Sequence, residues 1–583
     1  MAKRRKQSEA RSGPAALGSV AHAAQGTLRS YTVGALPILN HFLRRMKLEE
    51  FFRDYLPAED PRSKLSPAKG LLVLLRNLVV SREPVYGVGE WAARHAPDLL
   101  GLSPEEVGLL NDDRLGRALD LLFFAEIPSL ALAAVTHVVR EFGLALDELH
   151  NDSTTVTFSG AYAKAATEKR DFGHPTLAIT FGHNKDHRPD LKQLLYILTV
   201  TEDGGVPVHF RAESGNTTDD QTHRDTWELL CQLTGRRDFL YVADCKLATI
   251  DNMAYVHQHG GRFISILPRN RSEDGAFRQR LREGPMTWKP LWDKTDAQGQ
   301  LLDRYSICAE PTATAEGYRL VWYHSTRKAE RDAAARAKHI DRALRRLDQL
   351  RQKLASPRTR YRQLPKVQRL VEEILQHDEV ASWVHVQIVP KEQETYRQAT
   401  PGRPGKDTRY LREVSTRLEL SYTLDAQRLA AEGVTDGIFP LVSNVLTLSE
   451  RELLEAYKHQ PAIEKRFSQL KTDFAVAPVY LKEVRRIQAL LCVYFFALVV
   501  EALLERELRQ AMTREGIESL PMYPEGRPCR WPTTPRILDL FENVQRHEMT
   551  TRQGESVVLV TELTPLQRKI LKLLGLRPET YGT

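Results

Sequence analysis

Cysteine is scarce in this sequence, with five residues among 583. An odd number of scattered cysteines excludes a disulfide scaffold and suits a reducing compartment. The spacings also lack any close pair of the kind that binds zinc, so we expect no zinc site at cysteine. The five residues are Cys231, Cys245, Cys308, Cys492 and Cys529.

Long hydrophobic runs are scarce as well. The most apolar stretch, residues 487–504, contains Gln488 and Glu501. Because an acidic side chain is costly in lipid, this stretch predicts a buried core helix rather than a membrane span. The first 30 residues lack an apolar segment and carry the basic run 3–6, which predicts a flexible tail and no secretory signal. We therefore exclude a polytopic membrane protein and expect no membrane partner.

The net charge is also small. The sequence has 83 Lys and Arg and 75 Asp and Glu, which gives +8. With 42% hydrophobic and 27% charged residues, the chain can bury large cores. Lys and Arg concentrate around 269–290, 327–372 and 403–417. Such basic stretches are typical of proteins that track phosphates, and for each stretch alone a solvated helix face is the alternative.

The hydrophobic pattern changes once along the first half of the chain. Over residues 31–146 apolar residues recur three and four apart, between Pro and Gly residues, which predicts several short helices. This form is typical of small DNA-binding domains, which is how we interpret the region, and a generic helical domain is the alternative. Five β-branched or apolar runs of strand length follow, with a helix at 222–233 among them. The predicted strands are 150–158, 177–181, 194–200, 239–244 and 263–267.

Residues 268–448 interrupt this alternation. They contain strand candidates at 318–323, 384–388 and 418–423 and a charged helical region at 326–378, so we interpret them as an insertion between two parts of one core. A capping box at 449–452 begins a helix, and a second helix is predicted at 462–474. Pro461 should end or kink the first helix, or occupy the first turn of the second.

Three acidic residues have positions that suit catalysis. Asp152 lies inside the first predicted strand, Asp244 ends a later buried strand, and Glu464 lies on the helix that follows the insertion. A carboxylate in an apolar strand is costly unless it is paired or binds metal. Carboxylate oxygens are the ligands that hard divalent cations prefer, and two such ions can clamp a phosphodiester. A strand-terminal Asp by itself more often caps a strand or lies in a hairpin.

A second pattern surrounds Glu464. The residues share spacings of three and four, which place them on one helix face if Pro461 only kinks the axis. A cation and an aromatic ring beside a metal-binding Glu suit the end of a DNA strand, and the alternative is an exposed amphipathic helix. The residues of this face are Tyr457, Gln460, Glu464, Phe467 and Lys471.

These residues resemble a motif of bacterial insertion-sequence transposases of the DDE type, in the subgroup marked by Tyr-x2-Arg-x3-Glu-x6-Lys. Tyr457, Glu464 and Lys471 match in register. Gln460 stands where the signature has Arg, and Arg466 points elsewhere on the helix and is no obvious substitute. Two further stretches, 182–193 and 241–249, resemble the same subgroup.

The resemblance implies an α/β fold, with an RNase H-like mixed-sheet catalytic core interrupted by a large α+β insertion and flanked by helical N-terminal and C-terminal regions. We divide the chain into a basic tail, a helical DNA-binding domain, the first part of the core, the insertion, the last part of the core with the Glu464 helix, and a helical C-terminal region. Their ranges are 1–30, 31–146, 147–267, 268–448, 449–485 and 486–583.

The resemblance also implies a chemistry. Asp152, Asp244 and Glu464 would bind two Mg²⁺ ions, for which Mn²⁺ can substitute, and would hydrolyse the ends of an insertion sequence. The freed 3′-OH would then attack target DNA. Tyr457, Gln460 and Lys471 would contact DNA, and so would Lys185 and Arg188 in the turn at 182–189, unless these two simply solvate that turn.

The implied partners are double-stranded DNA, as terminal inverted repeats and as target, and a second copy of the chain when assembled on DNA. The implied location is the bacterial cytoplasm, associated with the nucleoid when bound to DNA. Two alternatives remain open. One is an RNase H-like nuclease that cuts without joining strands, and the other is a catalytically decayed relative that only binds DNA.

Overall fold

The computed structural model describes residues 27–58, 62–160, 162, 165, 167–296, 298–356, 358–473, 481–550 and 555–582. The run of basic residues at 3–6 lies outside these ranges. The chain forms two compact units. Unit 1 comprises Met1–Asp244, Ala254–Arg262 and Lys458–Thr583, and unit 2 comprises Cys245–Met253 and Phe263–Tyr457.

In the described part of unit 1, a strand at 27–32 occupies the end of the predicted tail, and a series of short helices follows, which confirms the helical prediction for 31–146. Proline occupies the first turn of several of these helices, where its missing N–H leaves no bond unmade. The elements are β1 (Thr27–Thr32), α1 (Leu36–Arg45), α2 (Leu48–Tyr55), α3 (Pro67–Val80), α4 (Val88–Ala93), α5 (Pro104–Val107), α6 (Asp112–Phe124) and α7 (Ile127–Phe142).

A mixed sheet follows in unit 1, in the strand order β6-β5-β2-β7. Strands β6, β5 and β2 pair antiparallel, and β2 pairs parallel with β7. β5 is buried along almost its whole length, which explains its continuous apolar sequence. The elements are β2 (Glu148–Phe158), β3 (Lys169–Asp171), β4 (His174–Thr176), β5 (Lys192–Thr201), β6 (Pro207–Ser214), α8 (His223–Thr234), β7 (Leu240–Ala243) and α9 (Ile250–Gln258).

One predicted strand of this sheet is wrong. Residues 177–181 form only an isolated bridge, at Thr180. Their backbone groups bond to scattered partners instead of to a ladder, since Ala178 N–H donates to Ser214 Oγ and Ile179 N–H donates to Ala165 O. β6, which the sequence analysis missed, provides the third antiparallel strand.

Unit 2 contains an antiparallel sheet in the order β8-β15-β12-β10-β9, with β11 beside β12. The predicted helical region at 326–378 consists of two helices, which pack with the β13–β14 hairpin around their own apolar core. The elements are β8 (Arg262–Ile266), α10 (Ser272–Glu283), β9 (Trp288–Thr295), β10 (Leu301–Cys308), β11 (Thr312–Ala313), β12 (Arg319–Ser325), α11 (Thr326–Ala355), α12 (Leu364–His377), β13 (Val384–Gln398), β14 (Tyr410–Leu424), α13 (Ala426–Gly433), β15 (Ile438–Ser443) and α14 (Glu450–Lys458).

The predicted helix face from Tyr457 to Lys471 does not lie on one helix. α14 ends at Lys458, and α15 (Pro461–Ser468) begins with Pro461 in its first turn. Proline cannot continue the preceding helix, because it lacks the N–H and clashes with the previous turn. Residues Gln469–Asp473 then form a π-helical turn, so the α-helical spacing ends before Lys471. Residue 474, the predicted end of this helix, lies outside the described residues.

The C-terminal region, predicted to be helical, also contains strands. β16 pairs with both β1 and β17 in a three-stranded sheet. The valine-rich run 556–560 suits a strand better than a helix. The elements are α16 (Val484–Arg514), α17 (Thr534–Asp539), β16 (Gln545–Thr550), β17 (Ser556–Val560) and α18 (Pro565–Leu573).

Helix α16 is the central helix of unit 1. It is long and apolar enough to cross a membrane, but its most apolar window is 94% buried inside the protein, which confirms the prediction of a core helix. α3, α6 and α1 pack on it, and the Phe52 ring of α2 meets Phe496 edge to face. Arg485 and Arg486 at its start both bind the Asp120 carboxylate on α6.

Candidate active site

The register of β2 and β7 brings two of the predicted acids together. Asn151 pairs with Ala243 in the parallel ladder, so Asp152 and Asp244 are the next residues on the two neighbouring strands. The charge of Asp244 contributes to raising the pKa of Asp152. The structure therefore places these two residues at neighbouring positions of one parallel strand pair.

Asp152 is a largely buried carboxyl group with an unusual pKa. Burial and the neighbouring Asp244 raise this pKa from 3.8 to about 6, against the opposing effect of the Lys185 ammonium. The Ser153 N–H donates to Asp152 Oδ1 over 2.7 Å. A carboxyl group that resists ionisation in this way is one whose charge the surrounding protein does not fully neutralise.

Lys185 lies among these acids. Its Nζ is 3.3 Å from Asp152 Oδ1 and 2.9 Å from Asp219 Oδ2, and it donates to Ser153 Oγ over 2.7 Å. Burial lowers the pKa of Lys185, but Asp152, Asp219 and Asp244 more than compensate and raise it. We call Asp152, Asp219, Asp244 and Lys185 the carboxylate cluster.

Asp219 was missed by the sequence analysis. It begins the short turn between β6 and α8, and its side chain is only 12% exposed. Two consecutive acids in the connection between β6 and α8, Asp219 and Asp220, were the available signal, but β6 itself was not predicted. The cluster therefore holds three carboxylates against one ammonium.

A buried imidazole lies behind the cluster. His223 Nδ1 is 3.0 Å from the Tyr241 hydroxyl, and both side chains are buried. Burial lowers the pKa of His223 to about 4, although Asp244 and Asp219 raise it. The imidazole is thus neutral at pH 7 and adds no positive charge to the cluster.

The turn at 182–189 positions Lys185. The buried Asn184 donates to Gln193 Oε1 over 2.9 Å and accepts the N–H groups of Asp186 and Arg188. A Cβ on Gly182 would lie 1.9 Å from the Gly215 carbonyl oxygen, so only glycine fits there. The polar residues of this turn thus shape the loop that delivers Lys185 to Asp152.

The same turn reaches Lys471. Lys471 Nζ lies 2.6 Å from Asp186 Oδ1, next in sequence to Lys185. Arg188 binds Asp190 through two parallel bonds of 2.8 and 2.7 Å and stays 54% exposed. Arg188 is therefore part of the turn that carries Lys185, and Lys471 contacts the same turn through Asp186.

Glu464 differs from the two aspartates. It is exposed on α15, a helix that packs on β2 and β5 through its buried face. Within the described part of the chain, Glu464 does not join Asp152 and Asp244 in a group whose ligand atoms all lie within 4.8 Å of one another. Tyr457, on α14, stacks against Phe439.

Gln460, at the start of α15, faces a different set of side chains. Its Oε1 lies 3.2 Å from His150 Nδ1. His150 Nε2 and His459 Nδ1 lie 2.8 and 2.7 Å from the same Glu148 oxygen. The sequence analysis missed this Glu–His–His group, in which Glu148 and His150 lie on β2, four and two residues before Asp152, and His459 lies between α14 and α15.

Arg466 does not replace the missing signature arginine. It is 1% exposed and donates to the carbonyl oxygens of Gly204 and Gly205 and to Gln469 Oε1. It also lies 3.2 Å from the buried Glu505 carboxylate. These contacts confirm the prediction that Arg466 points away from the face of Glu464.

Comparisons with known proteins cover parts of the chain. Residues 28–135, from β1 into α7, match a family model described as a domain of unknown function, DUF4277. No curated protein matches the chain. Among solved structures, the chain is similar to piggyBac transposase in the cryo-EM structure of its synaptic complex with hairpin DNA, at 11% identity and a TM-score of 0.26. That match covers 49% of this chain and 60% of the other, and a TM-score this low does not establish a shared fold.

Proposed function

We propose that the chain is a DNA transposase of the DDE type, with an RNase H-like core. On this proposal it binds the ends of an insertion sequence, cleaves them and joins the 3′-OH ends to target DNA. The observation that carries the proposal is the adjacent pair Asp152 and Asp244 on parallel strands. The matches of Tyr457, Glu464 and Lys471 to the transposase signature support it, and so does the mixed sheet β6-β5-β2-β7 that carries the aspartates.

The carboxylate cluster offers the oxygen donors that divalent cations bind. It sets three carboxylates against one ammonium, and the pKa of Asp152 is raised first by burial and then by the neighbouring Asp244. Oxygen donors are what Mg²⁺ requires, and Mn²⁺ accepts the same donors. Asp152 and Asp244 would hold Mg²⁺, with Glu464 completing the set from α15. The ions supply Lewis-acid stabilisation of the attacking and leaving oxygens.

The remaining residues act on the DNA and on charge. The Lys185 ammonium would partly neutralise the carboxylates of the cluster before DNA and metal bind. Lys471 and Arg188 lie where phosphates that approach the cluster could exchange with Asp186 and Asp190. Tyr457, as a match to the signature, would contact DNA through its aromatic ring. A second copy of the chain on the paired DNA end and a bacterial cytoplasmic location complete the proposal.

The experiment is cleavage and joining of a labelled element end by the full chain in Mg²⁺. Asp152→Asn, Asp244→Asn and Glu464→Gln should each abolish both reactions while DNA binding in a gel shift stays near normal, since each removes a ligand charge and little volume. Asp190→Asn is the matched control and should remain active.

The outcomes separate the alternatives. Cleavage without joining by the wild type would show a nuclease, and binding without either reaction would show a decayed relative. If Glu464→Gln cuts like the wild type while the two Asp variants do not, Glu464 is not the third acid.

A further inference from the structure

A group of nitrogen and oxygen donors joins β2 to the segment that precedes α15. Glu148 Oε1 is 2.8 Å from His150 Nε2 and 2.7 Å from His459 Nδ1. One ligand atom from each residue lies within 4.8 Å of the other two. Among the residues that the structure describes, this is the group of three potential ligands that meets that distance.

We propose that Glu148, His150 and His459 form a binding site for a divalent transition metal of the zinc class. Two imidazole nitrogens and one carboxylate oxygen are a donor set that zinc uses when it keeps a fourth position open. Mg²⁺ prefers oxygen donors alone, so the site differs in kind from the carboxylate cluster.

The position of His150 supports the proposal. The ring is completely buried, and Gln460 Oε1 lies 3.2 Å from its Nδ1. A polar partner on one imidazole nitrogen typically orients the other nitrogen toward a metal. Gln460, which departs from the transposase signature, thus has a role here as the residue that fixes the His150 ring.

The charge and access of the site also suit a cation. The Glu148 side chain is 19% exposed, contacts both imidazoles and offers the carboxylate charge that a cation requires. His459 is 41% exposed and gives the site an opening to solvent.

A metal in this site would join two distant parts of the chain. Glu148 and His150 share the face of β2 with Asp152, because side chains two residues apart point to the same side of a strand. His459 lies two residues before α15 begins, on the segment that carries Glu464. The site would hold the start of α15 on β2. This consequence for Glu464 rests on the proposed function, whereas metal binding itself does not.

The test is a titration of the full chain with Zn²⁺ against a chromophoric chelator, with millimolar Mg²⁺ present and no DNA. We expect the wild type to bind one equivalent of Zn²⁺. His459→Ala and Glu148→Gln should each bind Zn²⁺ at least about tenfold more weakly, and Gln460→Ala should also weaken Zn²⁺ binding about tenfold. His385→Ala removes an exposed histidine that pairs with a carboxylate and should bind Zn²⁺ like the wild type. Asp152→Asn should do the same.

Thermal melts in the same buffers test the result independently. Zn²⁺ should raise the melting temperature of the wild type and of His385→Ala, but not that of His459→Ala, whose exposed side chain can be removed without a buried cavity. Absence of the tight equivalent in the folded wild type, or equal uptake by the wild type and His459→Ala, would overturn the proposal. Loss of cleavage in Asp152→Asn with Zn²⁺ binding intact would support the proposed function and leave the two questions separate.

Discussion

Two buried charge clusters in unit 1 contain carboxylates whose pKa values are shifted in opposite directions. In the carboxylate cluster, burial raises the pKa of Asp152 to about 6, and one ammonium serves three acids. In what we call the arginine cluster, Glu505 lies 2.5 Å from Lys465, 3.2 Å from Arg466 and 3.6 Å from Arg509. Burial alone would raise the pKa of Glu505, but these cations outweigh it and lower the pKa.

The difference separates a charge network that stabilises the fold from one prepared for a ligand. Arg466 donates to the Gly204–Gly205 turn and to Glu505, and these bonds hold α15 to that turn and to α16. The cations around Asp152 do not outweigh the effect of burial on its pKa. A bound cation would therefore stabilise the ionised form of this carboxylate. Two residues of α15 thus differ in their surroundings, since Arg466 is buried in the arginine cluster and Glu464 is exposed.

The largest effect on stability should come from the arginine cluster. Arg466→Ala leaves the buried Glu505 with fewer cations and removes the bonds to Gly204 and Gly205. Breaking a buried ion pair from one side should lower the free energy of unfolding by about 3–5 kcal/mol. Urea unfolding measures this, with Arg117→Ala, in an exposed pair with Asp113, as a control that should lose less than about 1 kcal/mol. A small loss in Arg466→Ala would show that the two clusters do not differ in this way.

A smaller effect of opposite sign should come from Asp152→Asn. The folded protein keeps a proton on Asp152 up to pH about 6, whereas the unfolded chain releases it near 3.8. Without Mg²⁺, the contribution of this group to stability should therefore fall as pH rises from about 4 to about 6 and stay low above that range. Asparagine cannot titrate, so the variant should match the wild type near pH 4 and be more stable by about 1–3 kcal/mol at pH 7.

Urea unfolding at several pH values checks this difference. Asp190→Asn is the control, because Arg188 lowers the pKa of Asp190 and the trend with pH should be reversed and small. A constant difference between Asp152→Asn and the wild type from pH 4 to pH 7 would contradict the raised pKa of Asp152.

Lys185→Met should have the next largest effect on the free energy of unfolding, and the size of that effect should depend on Mg²⁺. Removing the ammonium leaves Asp152 and Asp219 without their shared partner, which should lower the free energy of unfolding by about 1–3 kcal/mol in the absence of metal. Mg²⁺ should restore most of this loss, because it supplies positive charge to the same acids. Melts with and without Mg²⁺ measure it, and equal losses in both buffers would show that Lys185 does not compete with a cation.

Much of the sheet could be predicted from the sequence because its strands are buried and continuous in apolar residues. Asp152 and Asp244 stood out for the same reason, as acids within or at the end of apolar runs. β6 could not be found in this way, because His209, Arg211 and Glu213 interrupt its apolar residues. The acid that follows it, Asp219, was lost with it.

The helical spacing around Glu464 was only partly informative. The pattern from Tyr457 to Lys471 assumed a continuous helix, but Pro461 starts a new helix and a π-helical turn follows Ser468. The contacts of Gln460 with His150 and of Lys471 with Asp186 depend on strand and turn positions more than 280 residues away in sequence. Spacing within one segment cannot report such contacts.

The smallest effect on stability should come from the cations at the edge of the carboxylate cluster. Lys471→Ala and Arg188→Ala each break a pair with an exposed acid, so each should change the free energy of unfolding by less than about 1 kcal/mol. Their effect should appear in DNA binding instead. A cation that replaces its carboxylate partner with a phosphate releases a counterion, so each variant should reduce the slope of log affinity against log salt by about one. Gel shifts on one element end at several salt concentrations measure that slope, with Arg568→Ala, in an exposed pair with Glu562, as the matched control. An unchanged slope in both variants would remove Lys471 and Arg188 from the DNA interface and leave them as surface ion pairs beside the acids.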